Sequence, residues 1–291
     1  MTWDSEADFD VQGTVARLFV HPIKSCGAVE VQEAVLTETG LDLDRAWMVV
    51  DPEGVFVSQR ELPRMALIRP QLKTYEMVLR APGMLALHLA IDGVEAPCTA
   101  QVWKDTVKAY DMGDLAAQWF SDFLGRPLRL VRFDPEQRRL SSLQWTGGLE
   151  APNQFGDGFP VLVCSEASMD DLNQRLVQAG HGPVGVERFR ANVVLAGVES
   201  FDEDRLEDIV IRADDGPAVL RPVKPCTRCP IPDIDPVTAT SSTEVGDTLR
   251  TFRRDDRVGG GITFGMNAIV IEGDDRILRV GQVVQGRYRF D

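Results

Sequence analysis

The chain has 291 residues, 44% hydrophobic and 26% charged, enough apolar material for one large soluble domain or two ordinary ones. Its 45 acidic against 31 basic residues leave a net charge of −14, a surface that repels nucleic acid and anionic membrane and argues against both as partners. No run reaches the roughly 18 apolar residues that span a bilayer. Residues 1–8 are acidic, without the basic-then-apolar order of a signal peptide. Five scattered cysteines make no disulfide framework, so a reducing, cytoplasmic setting is expected.

In chain order the first dozen residues read as a loose tail. Residues 14–20 then set Ala16, Leu18 and Val20 on one side and Val15, Arg17 and Phe19 on the other, which predicts a strand buried on both faces. Residues 47–50, the turn Asp51-Pro-Glu-Gly54 and residues 55–57 predict a hairpin. Short strands are predicted at 67–69, 77–79, 85–89, 99–102, 106–110 and 128–132. Asp114 is placed to cap a helix over 115–124 that buries Leu115, Trp119 and Phe123 and stops at Gly125 before Pro127.

Residues 133–159 are polar and aperiodic, either a mobile loop beside a site or a connection between domains. A short apolar strand at 160–164 leads into a second helix. It starts at Ser165 or Ser168, runs through Met169, Leu172 and Leu176, and ends at Gly180. Further strands are predicted at 192–196, 209–212, 218–223, 268–271 and 283–288. Short strands between Gly and Pro turns indicate a mixed α/β, β-rich fold with barrel-like sheets and a few helices.

Cys226-Thr-Arg-Cys229 is the sharpest local feature, flanked by Pro222, Pro225, Pro230 and Pro232 on what reads as a stiff loop. A structural zinc site lacks a second ligand pair. A thioredoxin-like redox pair would open a helix, which the following prolines disfavour. What remains is a thiolate holding a soft metal or cofactor, or two inert cysteines. Lys24 and Ser25 end the first strand as a phosphate cradle or a plain surface turn. Arg45 is an ion-pair partner of Asp42 or Asp44, or an anion clamp. Arg190 and Asn192 precede another strand, as cofactor donors or as a salt bridge and turn.

His21-Pro-Ile-Lys-Ser-Cys26, Gly40-Leu-Asp-Leu-Asp-Arg-Ala-Trp47, Val57-Ser-Gln-Arg60, Asp157-Gly-Phe-Pro160, Ser165-Glu-Ala-Ser168, Phe189-Arg-Ala-Asn192, Lys224-Pro-Cys-Thr-Arg-Cys229 and Phe264-Gly-Met-Asn267 follow the order of MOSC proteins. The chain resembles members with an N-terminal MOSC β-barrel domain, such as the mitochondrial amidoxime reducing component and its bacterial relatives. The resemblance spans roughly residues 13–288 and implies a MOSC β-barrel domain at 133–289 after a β-barrel-like domain at 13–132.

It further implies a molybdenum–pterin cofactor (molybdopterin) whose metal is bound by Cys229. Lys24, Ser25, Arg45, Arg190, Asn192 and Thr227 would line the cofactor, and Asp157 and Cys229 would be the catalytic positions. The implied activity is reduction of small N-hydroxylated compounds with electrons from a separate iron–sulfur, flavin or haem protein. A carrier of the cofactor or its sulfur, without turnover, is the alternative. The family's proline in Phe-Arg-Pro-Asn is Ala191 here, and Pro230-Ile-Pro-Asp-Ile-Asp-Pro236 stands where Thr-Thr-Val-Asp-Pro frequently follows the ligand.

Overall fold

The strand Val11–Val20 is one stave of a closed seven-stranded barrel whose other six staves all lie beyond residue 160, in a computed structural model that describes residues 9–289. It pairs with Val193–Ala196 on one side and Val283–Tyr288 on the other. Val193–Ala196 runs parallel to Val161–Ser165, whereas Val283–Tyr288 leads antiparallel through Leu206–Ala213 and Gly216–Thr227 to Gly261–Glu272. Pairing of Gly261–Glu272 with Val161–Ser165 closes the ring. The strand begins at Val11, inside the expected tail; residues 1–8 of that tail lie outside the described residues.

Alternation along the staves sorts side chains into two layers. Val15, Leu18, Val161, Val163, Leu195 and Leu220 fill the barrel. Phe19, Leu162 and Cys164 face outward, beneath the helices Glu166–Gln178 and Glu244–Arg250, which contribute Met169, Leu172, Leu176 and Leu249. Burial on both faces of the first strand therefore holds only for its second half. Gln12 and Thr14 are exposed, a bulge shifts the register between Val15 and Arg17, and Arg17 reaches the carboxylate of Glu30 at 2.7 Å. At the closing seam Gly265 takes φ +73°, where a Cβ would stand 2.6 Å from Cys164 Sγ; only glycine fits there.

The intervening chain builds a four-stranded sheet in the order Trp47–Val50, Arg129–Phe133, Asp105–Asp111, Ala96–Val102, and a three-stranded sheet of Arg69–Leu72, Glu76–Arg80 and Leu87–Ala90. Trp47, Met77, Leu79, Phe120 and Leu130 meet in the core between them. The expected division at 132/133 falls inside the strand Arg129–Phe133, and strands pair across it, the first stave with those beyond residue 160 and Ile277–Arg279 with Glu33–Thr37.

The helix Asp114–Leu124 corrects the expected face. Trp119 and Phe123 are buried as expected, together with Ala116 and Phe120, but Leu115 is 74% exposed. Five residues from Phe120, Leu115 points about 140° away from it. Gly113, at φ +88°, occupies the cap position, and Asp114 begins the helix without capping it. The second helix starts as expected, with Ser165 Oγ accepting from the Ser168 N–H at 3.1 Å. Among the described residues no helix is long and apolar enough to cross a membrane.

Candidate functional site

Three sequence-distant segments are stitched together at one end of the barrel. The residues after the first strand run alongside those before Trp47: Arg45 N donates to His21 O at 2.9 Å, Trp47 N to Pro22 O at 3.0 Å and Lys24 N to Trp47 O at 2.8 Å. Residues 134–160, which carry no regular element, dock onto this pair through Phe155 N and Arg45 O at 3.1 Å. Arg139 fastens that loop internally, donating to Asn153 Oδ1, Gln154 O and Gly156 O at 2.6–2.8 Å and to Asp105 at 2.8 Å. A five-donor fork suits such a pin. Lys24, Arg45 and Asp157 are thereby delivered to one cleft.

That cleft encloses about 800 Å³, including solvent at its mouth. Lys24, Ser25, Arg45, Asp157, Arg190 and Asn192 line it together with Thr227 and Cys229, so every residue singled out from the sequence converges there. Five cationic side chains, those of Lys24, Arg45, Arg60, Arg190 and Arg228, face one carboxylate, Asp157. In a chain of net charge −14 this concentrates positive potential where a polyanion would sit.

The cations are held differently. Lys24 Nζ donates to Phe155 O at 2.9 Å and pairs with Asp157, whose Oδ1 also accepts from Trp103 Nε1 at 3.1 Å. Despite desolvation in the cleft, the Lys24 ammonium and the Trp103 N–H hold the Asp157 carboxyl well below the usual carboxylate range. Burial lowers the Lys24 pKa against the pull of that carboxylate.

Arg45, at φ +52°, pairs with Asp44 and donates to Asn192 Oδ1 and Arg190 O, both at 2.9 Å. Its ion-pair partner is thus Asp44. Arg190, at φ +60°, donates one nitrogen to Cys26 O and leaves its other terminal nitrogen buried and unpartnered. Burial and the charge of Arg45 bring its pKa down to about 10. Behind both arginines lies His21, fully buried; desolvation and the two guanidinium charges keep it neutral.

Asn192 holds rather than offers. Buried, it accepts from Arg45 NH1 and from Leu162 N at 3.0 Å and donates to Phe19 O at 3.2 Å. Asn192→Ala is expected to cost about 1–3 kcal/mol, since Leu162 N and Phe19 O lose a side-chain partner and Arg45 is left with only Asp44 and Arg190 O; urea denaturation measures it.

The cysteine segment is less of a loop than its prolines suggest. The strand Gly216–Thr227 runs through Cys226, with register shifts around Pro222 and Pro225, because a residue without an N–H is tolerated where the ladder is already broken. Arg228 N still donates to Ile262 O at 2.8 Å, and Cys229 then turns away half-buried. The next turn, Ile231–Asp233, is anchored by Asp233 Oδ1 accepting from Gly246 N at 2.9 Å. Arg228 donates to Cys226 Sγ at 2.9 Å and Phe189 O at 2.8 Å, and its Nε is buried without a partner. Burial opposes its charge, but the sulfurs of Cys226, Cys164 and Cys229 raise its pKa further.

Arg60, Arg228 and Asn267 also line the cleft. They stand in motifs noticed in the sequence, where nothing set them apart from ordinary surface or strand residues. Arg139 and Trp103 carried no sequence signal at all.

A MOSC N-terminal beta barrel domain matches residues 12–127 and a MOSC domain matches residues 150–285. The chain is 36% identical over 254 residues to mitochondrial amidoxime-reducing component 1 of Mus musculus, covering 83% of this chain and 72% of that protein. It is 33% identical over 251 residues to mitochondrial amidoxime reducing component 2 of Bos taurus, with the same shares of 83% and 72%. It is 30% identical over 269 residues to the molybdenum cofactor sulfurase of Bos taurus, covering 85% of this chain but 30% of that longer protein. With two consecutive domain matches and relatives similar over most of its length, the chain belongs to the MOSC family, as a MOSC N-terminal beta barrel domain joined to a MOSC domain.

Proposed function

We propose that the chain binds a molybdenum–pterin cofactor in this cleft and reduces small N-hydroxylated compounds with electrons from a separate redox protein. The observation that carries the reading is the cleft's donor set: five cations against one carboxylate, with one nitrogen each of Arg190 and Arg228 buried and unpartnered. An unmet buried donor costs free energy unless a ligand satisfies it. A phosphorylated, anionic pterin fits those donors, and Cys229 offers a half-buried thiol beside them. Among the described residues no cluster of three or more His, Cys, Asp or Glu side chains could hold a metal ion by itself. A metal here would bring most of its ligands with it, as a dithiolene-bearing cofactor does, and would take one soft thiolate from the chain.

In this reading Cys229 is the protein ligand. Lys24, Ser25 and Arg190 bind the anionic part, and Arg45, fixed by Asp44 and Asn192, sets the wall between them. When bound, the cofactor supplies the two-electron redox centre at which an N–O bond is cleaved. The overall change, R–NHOH plus two electrons and two protons to R–NH2 plus water, needs proton carriers in the cleft. Lys24 Nζ and the ionised Asp157, in direct contact, provide a donor and an acceptor there. Electrons would come from an iron–sulfur, flavin or haem protein.

Similarity to a molybdenum cofactor sulfurase favours a second reading, a cofactor or sulfur carrier without turnover. Protein made in a cofactor-competent host should hold close to one molybdenum per chain by elemental analysis and reduce benzamidoxime with a chemical reductant. Metal without reduction of any hydroxylamine, amidoxime or N-hydroxylated base selects the carrier. Absence of molybdenum from such a preparation overturns the reductase and the cofactor carrier alike, leaving only a carrier of sulfur.

A further inference from the structure

Val102 and Asp105 pair across a two-residue turn whose first position, Trp103, takes φ +56°. Glycine and asparagine are the usual occupants of left-handed hairpin positions, and a bulky side chain persists there only when its surroundings hold it. Core burial is not what holds this one. Trp103 is 40% exposed, against 0% for Trp47 and 7% for Trp119.

Its contacts all lead to the cleft. The indole Nε1 donates to Asp157 Oδ1 at 3.1 Å. The ring packs on Phe56 at a centroid distance of 4.9 Å, and the Arg60 guanidinium sits 4.7 Å from its centroid. Phe56, Arg60 and Asp157 are themselves lining residues. The backbone is pinned from below, with Gln101 Nε2 donating to Trp103 O at 3.0 Å. A rigid, half-exposed aromatic wall thus stands at the rim, joined to a carboxylate whose Oδ2 has no protein partner among the described residues.

We infer that Trp103 and Phe56 form a stacking subsite for the flat, conjugated part of an N-hydroxylated substrate, with Asp157 Oδ2 receiving an N–H or O–H of the same molecule. Both sides of the contact are pre-organised, so little ordering entropy opposes binding. The charge-assisted hydrogen bond serves any amidoxime, and aromatic stacking favours conjugated ones over aliphatic ones. The inference rests on the reductase reading for the class of substrate, but binding can be measured without turnover.

The test uses the full-length, cofactor-loaded protein without reductant, titrated with benzamidoxime and with acetamidoxime and followed by calorimetry and tryptophan fluorescence. The parent should prefer benzamidoxime, and Trp103→Ala should lower that preference about ten-fold, the scale of one good stacking contact. Trp103→Phe, which keeps a ring and loses the indole donor, should retain most of the preference. Trp103→Leu carries the alanine expectation if the alanine variant does not fold. Equal preference in the parent and in Trp103→Leu or Trp103→Ala, or no benzamidoxime binding to the parent, overturns the subsite. Adding a chemical reductant separates the two claims. Trp103-dependent binding without reduction defeats the reductase reading alone, and reduction with a preference indifferent to residue 103 defeats the subsite alone.

Discussion

Replacing Cys229 by serine is expected to lower the molybdenum content of the purified protein only in part, because the pterin keeps its own donors in the cleft, and to lower amidoxime reduction by more than about 100-fold, beyond the range seen for residues that merely support a metal ligand. A serine hydroxyl stays protonated at neutral pH and is a hard, weak donor to a metal that prefers thiolate. Nothing nearby replaces it, because the described residues hold no His, Cys, Asp or Glu cluster able to bind a metal. Cys226 is the internal control. Its sulfur already accepts from Arg228 NH1 at 2.9 Å and packs against the outer core around Phe189 and Phe264. Cys226→Ser should therefore retain molybdenum, with a stability loss of about 1 kcal/mol from the altered hydrogen bond and packing. Elemental analysis of the two variants, prepared side by side with the parent, decides. Loss of metal from the Cys226 variant but not from the Cys229 variant reverses the assignment.

The local pattern of the sequence was a good guide to strands and a poor guide to their partners. Alternation is written residue by residue, so Val161 and Val163 inward with Leu162 and Cys164 outward could be foreseen as a strand. That Val11–Val20 joins staves more than 140 residues away depends on pairings that no window of sequence contains. The same limit governs the cleft. Lys24, Arg45 and Arg190 stand out as cations at strand ends, whereas the choice of Cys229 over Cys226 comes from the resemblance to MOSC proteins.

Arg139 did not stand out, because its importance lies in four acceptors spread over Asp105 and residues 153–156. Trp103 did not either, since its meaning comes from a backbone angle and from Asp157, 54 positions on. Leu115 misled for a related reason. Spacing grouped it with Trp119 and Phe123, but the buried face of the first helix is centred on Ala116, Phe120 and Phe123 and leaves Leu115 at its solvent edge.

Glu203→Gln is expected to stabilise the protein by about 3 kcal/mol at pH 8 relative to its effect at pH 4, a gain that grows as pH rises. Glu203 lies in the turn Asp202–Asp204, fully buried, its carboxylate near the Ser165 and Ser168 hydroxyls but without a well-aligned hydrogen bond to either. Burial, and then the charge of Asp204, push its carboxyl up to about 7 from an ordinary 4.5. A carboxyl raised in this way binds its proton more tightly in the fold than in the unfolded chain. Stability therefore falls as pH climbs from about 4.5 to about 7 and stays low above that, at 1.36 kcal/mol for each pH unit of difference between the two states. Glutamine carries no charge at any of these pH values, so the variant loses this slope while every other titrating group, Asp204 included, remains. Subtracting urea denaturation curves of parent and variant at pH 4, 5, 6, 7 and 8 reports Glu203 together with its coupling to Asp204. Parallel pH profiles would mean that Glu203 stays charged and is compensated in the fold, and the buried acid would then be part of a paired network rather than a neutral group in the outer layer.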